Sequence, residues 1–145
     1  MKTYVSTIIE ENNKFLLVKE AKKQCYGKWG FPSGHVEEDE YIFDAATREV
    51  KEETNLEVEL NGLIAIYNNM FEGFNSISFV FSSKLNNNNN NKLIARQGEI
   101  LEIKWFSFDE IKDIRKELRD TNYMIDSIEK YNNKNIKPLE IIVTR

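Results

Sequence analysis

Three glutamates, Glu49, Glu52 and Glu53, sit at i, i+3 and i+4 within the segment GHVEEDEYIFDAATREVKEETNL, Gly34 to Leu56. On a helix that spacing puts all three on one face. The same segment carries Ile42, Phe43, Ala46 and Val50 at steps of three and four, an apolar stripe that predicts a helix buried on one side. Asp39 is the expected N-cap. Asn55 suits the left-handed stop position, with Leu56 folding back onto the helix. Three carboxylates crowded at the C-terminal end oppose the helix macrodipole and repel one another. A divalent cation between them removes the conflict; a solvated acidic face is the competing reading.

The flanking sequence reads as strands. Tyr4 to Ile9 and Phe15 to Val18 are β-branched and apolar runs, separated by a hairpin turn at Glu11, Asn12 and Asn13. Ala21 to Lys28 is polar and reads as a loop, and Trp29 to Pro32 as a short extended piece. Val58 to Tyr67, bent at Asn61-Gly62, and Ser76 to Leu85 follow as strands. The asparagine run Asn86 to Asn91 has nothing to bury and is expected to be a flexible tip between strands. Glu99 to Phe106 reads as a strand with Ile103 and Trp105 on one face. Phe108 to Leu118 and Asn122 to Tyr131 read as helices, and Ile136 to Val143 as a short apolar tail of strand character. Strands, helix, strands, helices in that order predict an α/β (α+β) fold with a mixed sheet and helices packed on its faces.

At 145 residues, 41% hydrophobic and 30% charged, the chain suits one domain, 1–145, with a real core. A net charge of −4 argues against binding a nucleic-acid polymer, although not against an anionic small molecule screened by metal ions. One cysteine and one histidine exclude an internal disulfide and disfavour a His/Cys zinc site. The opening residues do not form a secretory signal, and no apolar run approaches the roughly 18 residues of a membrane span. A cytoplasmic protein without a membrane partner is expected.

Hard carboxylate ligands suit magnesium or manganese, which bind through a few carboxylates plus substrate phosphates. A carboxylate beside metal-bound water can take its proton. Such a site hydrolyses a phosphate ester or anhydride. An Arg48–Glu52 pair at i, i+4 would orient one of the carboxylates.

Gly34, five residues, Glu40, seven residues, then Arg48-Glu49-Val50-x-Glu52-Glu53-x-Asn55-Leu56 resembles the Nudix box, with Asn55 in place of the final glycine. Each fixed charged position arises by chance roughly one time in fifteen, so the set is specific. The lead-in Lys28-Trp29-Gly30-Phe31-Pro32-Ser33-Gly34-His35-Val36-Glu37 is similar to the family's, where Ser33 is more often glycine. Ile103-Lys104-Trp105-Phe106 followed by Asp109-Glu110-Ile111 resembles its late strand and helix start. Residues from about 4 to 118 fit the Nudix layout. The tail Lys137-Pro138-Leu139-Glu140-Ile141-Ile142 is similar to that of a bacterial subgroup acting on nucleoside triphosphates and thiamine pyrophosphate.

The resemblance implies an α/β/α sandwich and a Mg2+- or Mn2+-dependent pyrophosphohydrolase. Its substrate would be a nucleoside di- or triphosphate, or a nucleoside diphosphate linked to another moiety. It implies Glu52 and Glu53 as metal ligands, Glu49 as a further ligand or the base, the Gly34 carbonyl as a ligand, and Arg48 as the orienting partner. Glu40 is then structural. One more acidic ligand is sought at Glu99 or Glu102, and phosphate contacts at Lys19 or Lys28. Tyr67, Phe71, Phe74 and Phe79 are candidates to stack on a base, against core packing as the alternative; His35 reads as a surface loop residue and Cys25 as an inert thiol. Two other functions stay open: a non-catalytic nucleotide-sensing module of the same fold, and a phosphatase acting on a non-nucleotide pyrophosphate. Many members of the family dimerise, and a homodimer is compatible with this chain.

Overall fold

The computed structural model describes residues 1–86 and 92–145. Its first two strands, β1 (Lys2–Glu11) and β2 (Lys14–Glu20), form the expected hairpin. Asn12 and Asn13 both take positive φ, 53° and 64°, which a two-residue turn between twisted strands requires and asparagine tolerates. Two short strands, β3 (Trp29–Gly30) and β4 (Ser33–His35), flank Pro32. After helix α1 (Ile42–Thr54) come β5 (Val58–Phe71), β6 (Phe74–Leu85) and β7 (Ile100–Ser107).

β1 organises the sheet. Its end pairs with β2, its first half pairs antiparallel with β4, and its length runs parallel to β6, giving the order β3-β2-β1-β6-β5 with β7 beside β2. The sheet is therefore mixed. The period of two in the strands sends side chains alternately to two buried faces. Ile8, Leu17, Ile64 and Val80 meet Ile111, Met124 and Ile128 of the C-terminal helices. Val5, Leu63 and Phe81 meet Ala45 and Ala46 of α1, and Ile9 and Leu16 meet Val50 and Leu56. Helices thus cover both faces, the α/β/α sandwich expected.

Helix α1 ends as predicted. Asn55 adopts φ 69°, its N–H donates to the Lys51 carbonyl at 2.9 Å, and Leu56 is buried beside Val50. Its start differs: the N-cap is Tyr41, which makes no side-chain cap, and not Asp39. The preceding turn is fixed instead by Glu40, whose carboxylate accepts from the Glu37 N–H and from Arg48.

Three further expectations are corrected. β5 runs four residues beyond Tyr67, because β6 pairs with it all the way to the Phe71–Phe74 turn; the bend at Asn61-Gly62 is present as a bulge. Phe108 to Leu118 is not one helix. A Ser107–Glu110 capping box starts α2 (Phe108–Asp113), but a separate 3-10 turn follows at Arg115–Glu117. The second predicted helix is α3 (Thr121–Asn132), capped by Asp120. The tail is not a strand: Lys137 makes a single bridge to Leu63, after which Pro138, lacking an N–H, precedes a 3-10 turn at Leu139–Ile141. Leu139 and Ile142 pack on the α1 side of the sheet. Most of the asparagine run, residues 87–91, lies outside the described residues.

Among the described residues no helix is long and apolar enough to cross a membrane.

Candidate active site

The segment from β3 through β4 lies against the C-terminal half of α1 and brings Gly34 up to the acidic face. A Cβ built on Gly34 would lie 2.2 Å from the Glu49 carboxylate, so with Glu49 held as it is by Arg48 the backbone can come this close only at a glycine. Next to it the Ser33 N–H donates to Glu53 Oε1 at 3.0 Å. Glu53 is 1% exposed. Burial pushes its pKa up from 4.5 to about 8; the Ser33 N–H and Arg119 oppose that rise, while Glu20 and Glu49 add to it.

Arg48 is the hub of the polar face. Its Nε and Nη2 fork onto the two oxygens of Glu40 at 3.0 and 2.6 Å, and Nη2 also donates to the His35 carbonyl at 3.1 Å. Its Nη1 reaches Glu49 Oε1 at 2.9 Å and Glu52 Oε2 at 3.2 Å. The expected Arg48–Glu52 pair is present, and Glu40 anchors the guanidinium that makes it. That hydrogen bonding holds Glu40 below the ordinary carboxylate range. Burial raises Glu49, and Arg48 only partly compensates.

Ser33, Gly34, Arg48, Glu49 and Glu52 line a cleft of about 870 Å³, and Glu53 is buried behind that lining. The cleft's acidic residues are Glu37, Glu49, Glu52, Glu99 and Asp120, and Lys22, Arg48, Arg96 and Arg119 bring positive charge to it. Arg96 bridges Glu52 at 3.0 Å and Glu99 at 3.4 Å. Of the two candidates for a further acidic ligand, Glu99 therefore stands at the cleft. Glu102 stands away from it, opposite Lys19 across the β2–β7 pairing. Lys19 and Lys28 do not line the cleft either. The Lys19 ammonium sits over the Trp29 ring, 5.6 Å from its centroid, and Lys28 Nζ donates to the Lys116 carbonyl at 2.7 Å.

Tyr4, Asn69, Phe71, Ser78 and Tyr123 also line the cleft. Phe71 is 74% exposed, Tyr67 and Phe79 pack in the two core layers, and Phe74 sits exposed at the hairpin tip. His35 is exposed, with its ring 4.7 Å from that of Tyr4. Burial and nearby Glu20 push the Cys25 thiol up, consistent with an unreactive group.

A family model described as the NUDIX domain matches residues 2–126. The chain belongs to the NUDIX hydrolase family. A NUDIX hydrolase from Nitrosomonas europaea superposes with a TM-score of 0.88 at 30% identity, covering 99% of this chain and 97% of that one. An 8-oxo-dGDP phosphatase from Homo sapiens is 35% identical over 80 residues, 55% of this chain and 24% of that protein. An ADP-ribose pyrophosphatase from Methanocaldococcus jannaschii is 40% identical over 63 residues, 43% of this chain and 37% of that protein. The chain spans 24% to 30% of the length of the first curated relatives it matches.

In this member of the family the substituted glycine of the box is accounted for. Asn55 accepts the left-handed conformation, and its Nδ2 also donates to the Lys92 carbonyl at 3.0 Å. Sequence reasoning missed Lys22, Arg96, Arg119 and Glu20. The first three are cations in loops, with no periodic signal. Glu20 carried one: two residues beyond Val18, it falls on the same strand face as the apolar Leu16 and Val18, and a carboxylate buried there needs a partner.

Among the described residues no three His, Cys, Asp or Glu side chains already converge on one point. Glu49 and Glu52 turn to Arg48 and Arg96 instead. The donor set nonetheless suits a hard cation. It is all oxygen, and Glu53 is a desolvated carboxylate whose pKa stays near 8 despite the hydrogen bond from the Ser33 N–H. A divalent ion supplies the positive charge that would keep it ionised.

Proposed function

We propose that this protein is a Mg2+- or Mn2+-dependent pyrophosphohydrolase that cleaves a phosphoanhydride bond in a nucleoside di- or triphosphate, or in a nucleoside diphosphate linked to another moiety. The observation that carries the reading is the buried Glu53 carboxylate, raised to about 8 and held by the N–H of Ser33 next to Gly34, where Ser33, Gly34 and Glu49 line an open cleft. A protein that only had to fold gains nothing by burying it.

Glu52, Glu53 and the Gly34 carbonyl would hold the ion, with Glu49 as a further ligand or the base and Glu99 as an added acidic ligand. When bound there, such an ion would supply positive charge to phosphate oxygens and lower the pKa of a water. Arg48 keeps Glu49 and Glu52 in register with each other through Glu40. Because Glu49 Oε1 is tied to Arg48, Oε2 is the atom assigned to receive the water proton if Glu49 is the base. Lys22 and Arg96 supply positive charge for the phosphates, and Tyr4, Asn69 and Phe71 take the rest of the substrate. The tail packs on the same sheet, which supports treating 1–145 as one domain. The reading places the enzyme in the cytoplasm, free of membranes and nucleic-acid polymers, and leaves a homodimer compatible.

The test is a panel containing 8-oxo-dGDP, ADP-ribose, nucleoside triphosphates, dinucleotides and thiamine pyrophosphate, each with Mg2+ or Mn2+. Release of a monophosphate, phosphate or pyrophosphate is expected for at least one nucleotide. Saturable binding without turnover across the panel would instead make the protein a sensing module. Turnover confined to thiamine pyrophosphate would select the non-nucleotide phosphatase.

A further inference from the structure

A second carboxylate, Glu20, lies at the buried end of β2 and is 1% exposed. Its Oε1 accepts from Arg119 Nη1 at 2.6 Å, and its Oε2 is buried with no hydrogen-bond partner among the described residues. Arg119 stands 99 positions later in the chain, immediately before the Asp120 cap of α3. Its backbone N–H donates to the Trp29 carbonyl at 2.7 Å. Its Nη2 donates to the Phe31 carbonyl at 3.3 Å and to Ser33 Oγ. A Cβ on Gly30 would lie 2.8 Å from the guanidinium carbon, so Gly30 makes room for it. One arginine thus fastens three points of the segment from Trp29 to Ser33.

That segment is the one whose Ser33 N–H holds Glu53 and whose next residue is Gly34. We propose that Arg119, held by Glu20, is a positioning residue that sets the Ser33–Gly34 backbone against Glu53 and so fixes the metal site. The inference rests on the reading of Glu53 as a metal ligand. Two observations separate it from a stabilising role alone. A buried ion pair with one oxygen unsatisfied contributes little net stability. Moreover, the two Nη2 contacts fall on the Phe31 carbonyl and Ser33 Oγ, the residues on either side of Pro32 that lead into Gly34. The planar fork makes several directed contacts at once, which lysine cannot reproduce.

The experiment measures Mn2+ affinity by electron paramagnetic resonance, without substrate, for the wild type and for Arg119→Met, Arg119→Lys and Ser33→Ala. It also follows the Ser33 amide proton by NMR in the wild type and Arg119→Lys. Weakening of Mn2+ binding by about 10- to 100-fold is expected for Arg119→Met, with a smaller loss for Arg119→Lys and for Ser33→Ala. The Ser33 amide proton should move upfield in Arg119→Lys as its bond to Glu53 loosens. Arg119→Lys and Ser33→Ala keep most of the packing, so they decide the matter if Arg119→Met does not fold. Wild-type Mn2+ affinity in both, with an unmoved Ser33 amide, would overturn the inference. If the folded wild type binds no Mn2+, the metal reading fails by itself, and the amide shift alone then decides whether Arg119 positions Ser33.

Discussion

Replacing Glu53 by glutamine should stabilise the metal-free protein, by an amount that depends on pH in a defined way. The folded carboxyl titrates near 8 rather than at its ordinary 4.5, because burial penalises the anion more than the Ser33 N–H and Arg119 favour it. The folded state therefore holds a proton that the unfolded state releases between pH 4.5 and 8. Stability is fully present below 4.5 and declines as pH rises through the folded value. Three and a half pH units at about 1.4 kcal/mol each give a loss of about 5 kcal/mol by pH 8.5, an order-of-magnitude figure. Glutamine is uncharged throughout and keeps an oxygen acceptor for the Ser33 N–H. Urea unfolding in EDTA at pH 5, 7 and 8.5 measures the difference. Near-equal stabilities are expected at pH 5, with the variant ahead by roughly 3 kcal/mol at pH 7 and about 5 kcal/mol at pH 8.5. Other groups raised by burial, Glu49 among them, titrate in both proteins and largely cancel. A difference that stays constant from pH 5 to 8.5 would mean that Glu53 is not a buried, uncompensated carboxylate. Mg2+ should narrow the gap, because it binds the wild type more tightly.

The same substitution should lower turnover by at least about a hundredfold while the fold persists, as single-turnover kinetics and circular dichroism would register. Gly34→Ala should cost activity on a similar scale, because its Cβ would meet the Glu49 carboxylate; wild-type kcat would show that the helix and loop can separate freely. Glu99→Gln should weaken Mn2+ binding by about tenfold whereas Glu102→Gln leaves it unchanged, and equal effects in a titration would remove the distinction between them. Lys22→Ala should raise KM for a phosphate-bearing substrate, whereas Lys28→Ala should not; the reverse order would move the phosphate site off the cleft wall.

Local features were the legible ones. The apolar stripe of α1, the left-handed Asn55 and the asparagine turn at Asn12-Asn13 are each fixed by a few neighbouring residues, and the structure has all three. The acidic face was legible for the same reason, since helical spacing alone brings its carboxylates together. What closes the site was not. Arg96 and Arg119 come from loops far along the chain, and neither periodicity nor charge pattern says which distant carboxylate a loop arginine will meet. The choice between Glu99 and Glu102 depended on where β7 begins, because the chain turns into that strand only at Ile100. The C-terminal tail looked like a strand by composition, but Pro138 and the single bridge to Leu63 let it drape over the sheet instead. Asp39 lost the cap position because Glu40, one residue later, was already engaged by Arg48.

The parallel pairing of β1 with β6 has a consequence for synthesis. Ile8 lies beside Ser82, so β1 leaves the ribosome roughly 70 residues ahead of its partner strand. At about 5–20 residues per second, that is a wait of roughly 4–15 s. During it the β1–β2 hairpin and the acidic helix can form, but the centre of the sheet lacks its neighbour. Arg119 emerges later still. The nascent chain therefore carries its acidic helix well before it has the sheet to lay it on, and the non-local closure of β1 on β6 must wait for the rest of the chain.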